Sequence, residues 1–331
     1  MRYLITGGSG YIGGRLVERL LERDDTERIV ICDVRPPHSF RPRTEFRRLD
    51  VRDAAAVREA VAAERPDVLV HLAFLLNPIH DEQTMYDIDV NGTHNVLEAA
   101  ASGEVQQVLV TSSAVAYGAF PDNPVPITED HPVRGVAGFE YARDKTESDR
   151  LCQLWALRHP DRTMTIVRPC SVFGPNVDNY LVRLWTDIPF VADLGGPDHG
   201  VQFVHEDDVV SAIELLMEGA HGGAFNIAPD DKMSTDDAAR LAGLKRRRFP
   251  IGLYTRFVAL MWRLRQGEAP PGSIAFAVHP WIVSNAKLRS LGWEPRHTAR
   301  DTFEITMRAR GKLAPDGAGS AAATPSPPVA A

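Results

Sequence analysis

In the first half of the chain, short apolar runs alternate with stretches where apolar residues recur every three or four positions. The runs are RYLIT (2–6), RIVICD (28–33), EFRRLD (45–50), DVLVHLA (67–73) and QQVLVTSS (106–113). Several are apolar on both faces, the mark of parallel strands covered by helices on each side. Between them IGGRLVERLLER (12–23), AAAVREAVAAE (54–64) and MYDIDVNGTHNVLEAAA (85–101) have helical spacing. Repeated strand–helix–strand units with short connections predict an α/β fold, a doubly wound parallel sheet with right-handed crossovers.

Beyond residue 170 the pattern loosens. Strand-like FVADL (190–194), VQFV (201–204) and GAFNIA (223–228) alternate with helices expected at 206–218 and 235–243, then near 251–265, 284–291 and 298–310. This divides the chain into a first domain over 1–170, a smaller lobe over 171–312 that interleaves with it, and a tail over 313–331. The tail, small and Pro-rich without aromatics, is expected to be disordered. There is no internal repeat.

Composition narrows the class. The 331 residues are 44% hydrophobic and 24% charged, enough for one large α/β domain with an attached lobe. A formal charge of −7 gives no reason to expect nucleic acid or an acidic membrane as partner. No apolar run approaches the roughly 20 residues that span a bilayer, and the N-terminus enters a strand without an apolar leader core. Cys32, Cys152 and Cys170 are odd in number, far apart and without C-x-x-C spacing. They predict buried or half-buried thiols in a reducing cytoplasm, and neither a disulfide frame nor a zinc site.

TGGSGYIGG (6–14) follows the first strand and opens the first helix. Gly7, Gly10 and Gly13 allow a tight turn and let backbone N–H groups approach a diphosphate at the positive end of a helix. A glycine motif alone also describes a flexible turn. Here a strand precedes it, a helix follows, and the next strand ends in Asp33. A carboxylate there accepts both ribose hydroxyls of an adenosine and repels a 2′-phosphate, so a Rossmann-type fold binding NAD, in preference to NADP, is expected. Arg35 close by leaves that preference less than strict. Asp50 either reaches the adenine edge or caps helix 54–64.

EYARDK (140–145) sets Tyr141 and Lys145 four apart, on one face of a helix. Alone, the pair reads as a solvated surface. After a cofactor cradle it reads as acid–base chemistry. A phenol with pKa near 10 must fall by about 3 units, roughly 4 kcal/mol, to act as a base at neutral pH. An adjacent ammonium and a positive nicotinamide ring both favour the phenolate.

With TGGSGYIG, DVNGTHNVLEAA, TSSAVAYG, YARDK, RPCSVFGP, FVHEDDVV and LGWEP in order over roughly residues 1–310, the chain resembles the extended short-chain dehydrogenases/reductases, the NAD-dependent epimerase/dehydratase group. The resemblance implies Tyr141 as acid/base and Lys145 as holder of the nicotinamide ribose, lowering the tyrosine pKa. It implies Ser113 as donor to the reacting oxygen, with Ser112 the alternative one register away. Asp144 stands where the family usually has serine and adds negative charge near the pair. The expected cofactor contacts are completed by Tyr11, Ile12, Val51, Leu72, Ala73, Asn91 and Cys170. The resemblance also implies a homodimer built on the helices around 85–101 and from 140, where Leu151, Leu154 and Trp155 serve either the core or that interface.

Departures from the family pattern bear on the substrate. The family's sugar 4,6-dehydratases carry Asp and Glu after the catalytic Ser/Thr; Ala114 and Val115 stand here and transfer no proton, which argues against dehydration. Val201–Gln202 replaces an arginine clamp for a sugar nucleotide's diphosphate, and Ser171 replaces an asparagine that contacts it. Phe74, Leu75 and Leu76 in HLAFLLNPI (71–79) are either core or the wall of an apolar substrate site. KRRR (245–248), Arg256, Arg263 and Arg265 are alternative phosphate partners or a solvated face. His205, Asp207 and Asp208 suit a helix start better than a metal, and His71 a structural place at a strand end. The expected activity is hydride transfer at a secondary alcohol or ketone, by a dehydrogenase or an epimerase. A nucleotide-sugar 4-epimerase and a non-catalytic NAD-binding regulator are the alternatives.

Overall fold

A computed structural model describes residues 1–313; from residue 314 the expected tail lies outside the described residues. The first half contains β1 (Arg2–Thr6), α1 (Tyr11–Leu21), β2 (Arg28–Asp33), β3 (Thr44–Arg48), α2 (Ala54–Glu64), β4 (Val68–His71), α3 (Glu82–Tyr86), α4 (Gly92–Ser102), β5 (Gln107–Thr111), α5 (Glu140–Arg158) and β6 (Thr163–Pro169). The second contains β7 (Ser171–Phe173), α6 (Tyr180–Thr186), β8 (Phe190–Asp193), β9 (Phe203–His205), α7 (Glu206–Glu218), β10 (Gly223–Ile227), α8 (Thr235–Leu241), β11 (Lys245–Arg248), α9 (Ile251–Arg263), α10 (Ala275–Val278), α11 (Ala286–Arg289) and α12 (Ala299–Ala309).

Seven strands form one parallel sheet in the order β10-β6-β5-β4-β1-β2-β3. The pleat explains why its strands read as continuous apolar runs. Tyr3 and Ile5 of β1 face a core with Leu16 and Leu20 of α1 and Val209 and Ile213 of α7. Leu4, between them, faces a second core with Val57 and Val61 of α2, Val96 and Leu97 of α4, and Trp155 of α5. Chain order reverses between β1 and β4, so the crevice at their carboxyl ends is the switch point where such sheets bind ligands.

Helices α2 and α7 begin and end where their spacing predicts. Elsewhere the elements differ from the expected ones. The helix expected at 85–101 is three pieces: α3, a π-helical turn over Asp87–Asn91, and α4. β6 and β7 add strands beyond those expected, and β11 turns KRRR into a strand paired with β8. The run 201–204 is shifted: Val201 only bridges to Met233, and the strand is 203–205. β10 returns from the later half to complete the main sheet. A third core packs Phe173, Phe203 and Phe303 together. The three cysteines are buried free thiols. No helix among the described residues is long and apolar enough to cross a membrane.

Candidate active site

The glycine turn is built by close packing. Gly7 has φ +71°, and a Cβ there would lie 2.6 Å from the Ala73 nitrogen and 2.7 Å from the Leu72 carbonyl carbon, so β1 and β4 meet backbone to backbone. A Cβ at Gly13 would lie 2.4 Å from the Gly7 oxygen, so α1 rests on the turn itself. Gly10 is the N-cap of α1 in extended conformation, with no side chain capping the helix. Asp33, at the end of β2, accepts the backbone N–H of Ser9 at 3.2 Å and of Arg35 at 3.1 Å. The Ser9 hydroxyl, buried in the turn, has no protein partner. Open N–H groups at a helix start, an orphaned hydroxyl and a carboxylate fit a dinucleotide's diphosphate and ribose.

Other expected cofactor contacts divide. Leu72 and Ala73 line the switch point. Ile12 packs partly against the core below. Tyr11 donates its hydroxyl to Glu206, which also accepts from Asn176 at 2.8 Å, pinning the start of α1 to that of α7. Val51 is buried against Gly92, and Cys170 is buried where β6 passes into β7. Asp50 does not cap α2: Asp53 does, accepting from Ala55 and Ala56, while Asp50 pairs with Arg52 at 2.6 Å. Asn91 is exposed and donates to Asp87, so the structure does not bring it to the site.

At the carboxyl end of β5 the chain turns through Ser112 and Ser113 and meets the first turns of α5. Tyr141 is buried there, with Ser113 near enough to lower the pKa of its phenol. The Lys145 ammonium donates to the Thr111 carbonyl at 2.7 Å and lies 3.1 Å from the centre of the Phe74 ring. Ser112 is not interchangeable with Ser113. Its hydroxyl donates to buried Asp149 at 2.6 Å, inside a network where Arg168 grips Asp149 with two bonds of 2.8 Å and reaches the Tyr117 hydroxyl at 2.7 Å. The candidate triad is therefore Ser113, Tyr141 and Lys145.

Electrostatics differ from the expectation. Burial pushes the Tyr141 phenol above its ordinary value, Asp89 raises it further, and only Ser113 lowers it. Burial also drives Lys145 down, with Asp89 partly opposing, and drives Asp89 up. Desolvation thus dominates at the tyrosine, and the phenol is held neutral. The acid beside it is Asp89, not Asp144, which is bound to Arg143 at 2.8 Å. Asp89 is fully buried in the π-helical turn; one carboxylate oxygen accepts the Leu75 N–H at 2.8 Å and the other has no partner. Residue pattern alone does not single it out.

Around the phenol lies an apolar shell of Met85, Val115, Phe139 and Tyr180, with Leu75, Leu76, Ile79 and Phe276 packed against it. Ser171 is buried at the start of β7, and Gln202 is occupied, both its amide groups bonded to Val283. His71 is structural: its ring nitrogens meet Thr6 at 2.6 Å and Thr93 at 3.0 Å, and burial lowers its pKa to about 3. His205 caps α7, and Asp208 accepts backbone N–H groups of Arg296 and His297. On α5, Trp155 belongs to the core, donating to the Leu97 carbonyl at 3.0 Å, and Leu151 packs beside it, while Leu154 and Leu157 are exposed.

Residues 3–228 match the NAD dependent epimerase/dehydratase family model. An Escherichia coli O157:H7 protein, N-acetyl-alpha-D-glucosaminyl-diphospho-ditrans,octacis-undecaprenol 4-epimerase, is 30% identical over 186 residues, 55% of this chain and 53% of its own length. A dTDP-glucose 4,6-dehydratase of Mycolicibacterium smegmatis is 26% identical over 319 residues, 90% of this chain and 89% of that one. The solved structure of a Thermus thermophilus UDP-glucose 4-epimerase with NAD superposes with a TM-score of 0.73 at 23% identity, covering 95% of this chain and all of the other.

Proposed function

The chain belongs to the NAD dependent epimerase/dehydratase family, and on that premise we propose that it is an NAD-dependent oxidoreductase or epimerase working at a secondary alcohol or ketone carbon, with Tyr141 as acid/base. The observation that carries this reading is the meeting of Tyr141, Ser113 and Lys145 at the strand ends beside the glycine turn. The turn around Gly7, Gly10 and Gly13, with the Ser9 hydroxyl, would hold the diphosphate of NAD, and Asp33 its adenosine ribose. When bound, NAD supplies the hydride acceptor and donor.

The residues of the chain supply the rest. Ser113 donates a hydrogen bond to the reacting oxygen, and Tyr141 passes the proton. A phenol held neutral by burial is already the acid that a ketone needs. The reverse step, taking a proton from an alcohol, requires positive charge beside the phenol, which Lys145 provides when protonated. Ala114 and Val115, both buried and apolar, offer no acid or base for elimination, so dehydration is not part of the proposal, although a dehydratase is among the relatives. The apolar shell and the occupied Gln202 favour an apolar alcohol. A nucleotide-sugar 4-epimerase is the second reading, favoured by the likeness to the Thermus enzyme. The proposal includes a reducing cytoplasm and a homodimer that uses Leu154 and Leu157.

The test is a screen of secondary alcohols and nucleotide sugars with NAD by NADH fluorescence. Stoichiometric NADH marks a dehydrogenase, and net conversion without it an epimerase. Tyr141→Phe is expected to lower turnover about 10²- to 10⁴-fold with NAD affinity retained. Unchanged turnover in that variant overturns the acid/base role; NAD binding with no turnover of any alcohol or nucleotide sugar by the wild type leaves the regulator reading. Light scattering on the same preparations checks the dimer; a monomer removes it.

A further inference from the structure

Helix α9 is built unlike the other long helices. None of its 13 residues is buried. Leu253, Phe257, Leu260 and, as the C-cap, Leu264 recur at i, i+4, i+7 and i+11, which places all four on one stripe. Each is more than half exposed, Leu253 the most at 63%. Arg256 and Arg263 flank one edge of the stripe and are exposed. Immediately before the helix, β11 exposes Lys245, Arg247 and Arg248. Arg246 pairs with Asp193 and Asp236, whereas those other five cations form no ion pair among the described residues.

The inner side of α9 is fixed. Trp262 stacks on His80 at 4.0 Å, and His80 follows the 74–79 loop that packs on Tyr141. The stripe is therefore held outward beside the candidate active site. An apolar stripe edged by unpaired arginines, on a chain whose formal charge is −7, matches an occupant with an apolar interior and an anionic surface. A second copy docked on the stripe with its helix antiparallel would bring two arginine edges together, which is unfavourable.

We propose that α9, with β11 before it, is a peripheral docking face for an anionic lipid bilayer. The helix lies in the plane of the interface with Leu253, Phe257, Leu260 and Leu264 at the acyl boundary and the basic side chains among the phosphates. Net charge hides this face, because membrane attraction is decided within a Debye length of the surface. If the redox reading of the site also holds, the docked enzyme meets alcohols carried in the lipid phase.

The full chain is floated with vesicles of phosphatidylcholine alone and with added phosphatidylserine, without substrate, so the result is independent of turnover. Binding is expected only with phosphatidylserine and is expected to fall at high salt. Arg256→Glu and Arg263→Glu should each weaken it at least about fivefold. Phe257→Ser with Leu260→Ser should abolish it, with circular dichroism unchanged. Absence of wild-type binding to phosphatidylserine vesicles overturns the proposal. So does equal binding to both vesicles, or a wild type that ignores vesicles but becomes monomeric when Phe257 and Leu260 are replaced.

Discussion

Two buried charge pairs meet on neighbouring turns of α5, and they are opposites. Asp149 and Arg168 form a closed set: Ser112 and two guanidinium bonds fill the carboxylate, and Arg168 is anchored again by Tyr117. Burial lowers the guanidinium's pKa, but the Asp149 hydrogen bonds and charge more than restore it, so the net direction is up. Lys145 and Asp89, one turn away, form an open set. No ion-pair distance joins them among the described residues, one Asp89 oxygen has no partner, and burial moves both toward neutrality. Closed pairs hold a fold, whereas open ones in a crevice are where chemistry and ligands complete the set.

Breaking the closed pair should have the largest effect on the fold. Arg168→Met leaves the Asp149 charge buried without its partner, and the expected loss is about 3–5 kcal/mol. Chemical denaturation measures it, and adding Asp149→Leu should recover part of the loss, because the stranded charge is then gone. A loss below about 1 kcal/mol would mean that the network does not hold β6 to α5.

The adjacent serines sharpen the contrast. Ser113→Ala removes a donor to the reacting oxygen and should cost about 10²- to 10³-fold in kcat and about 1 kcal/mol of stability, because its hydroxyl also accepts the Val115 N–H at 3.2 Å. Ser112→Ala removes a hydrogen bond to a buried carboxylate and should cost about 1.5–3 kcal/mol of stability, with the smaller effect on turnover. Side-by-side kinetics and melting separate them. A reversed pattern would return Ser112 to the catalytic role.

How much of this is legible in the sequence follows from what each feature depends on. α2 and α7 carry their own periodicity, and the glycine turn its own spacing, so all three are readable locally. β6 is not, because Arg168 inside it reads as a surface residue until Asp149, from another element, is beside it. β11 has no apolar residue at all. The π-helical turn inserts extra chain before α4, so Asp89 and not Asn91 turns inward. The direction of the phenol's shift is hidden for a similar reason. Counting charges near Tyr141 captures Lys145, but desolvation is a property of the packed shell.

The open pair yields the smallest but most diagnostic effect. Asp89 has its folded pKa raised from 3.8 to about 7. Between those values the unfolded chain releases the proton and the folded chain keeps it, so the stability that this group contributes is full below about 4 and lost as pH rises to about 7. Lys145, depressed from 10.5 to about 7, contributes stability that is full above its ordinary value and lost as pH falls toward 7. Asp89→Asn removes the first loss. It also removes the opposite charge that holds Lys145 up, so the lysine's loss extends to lower pH. Both changes have the same sign: the stability of the variant relative to the parent should climb steadily from about pH 4.5 to about pH 8. Melting temperatures of the two proteins across that range give the difference directly. Arg168→Met should show no such climb, because its partner is already satisfied in the parent, and a flat difference for Asp89→Asn would mean that the second pair is as closed as the first.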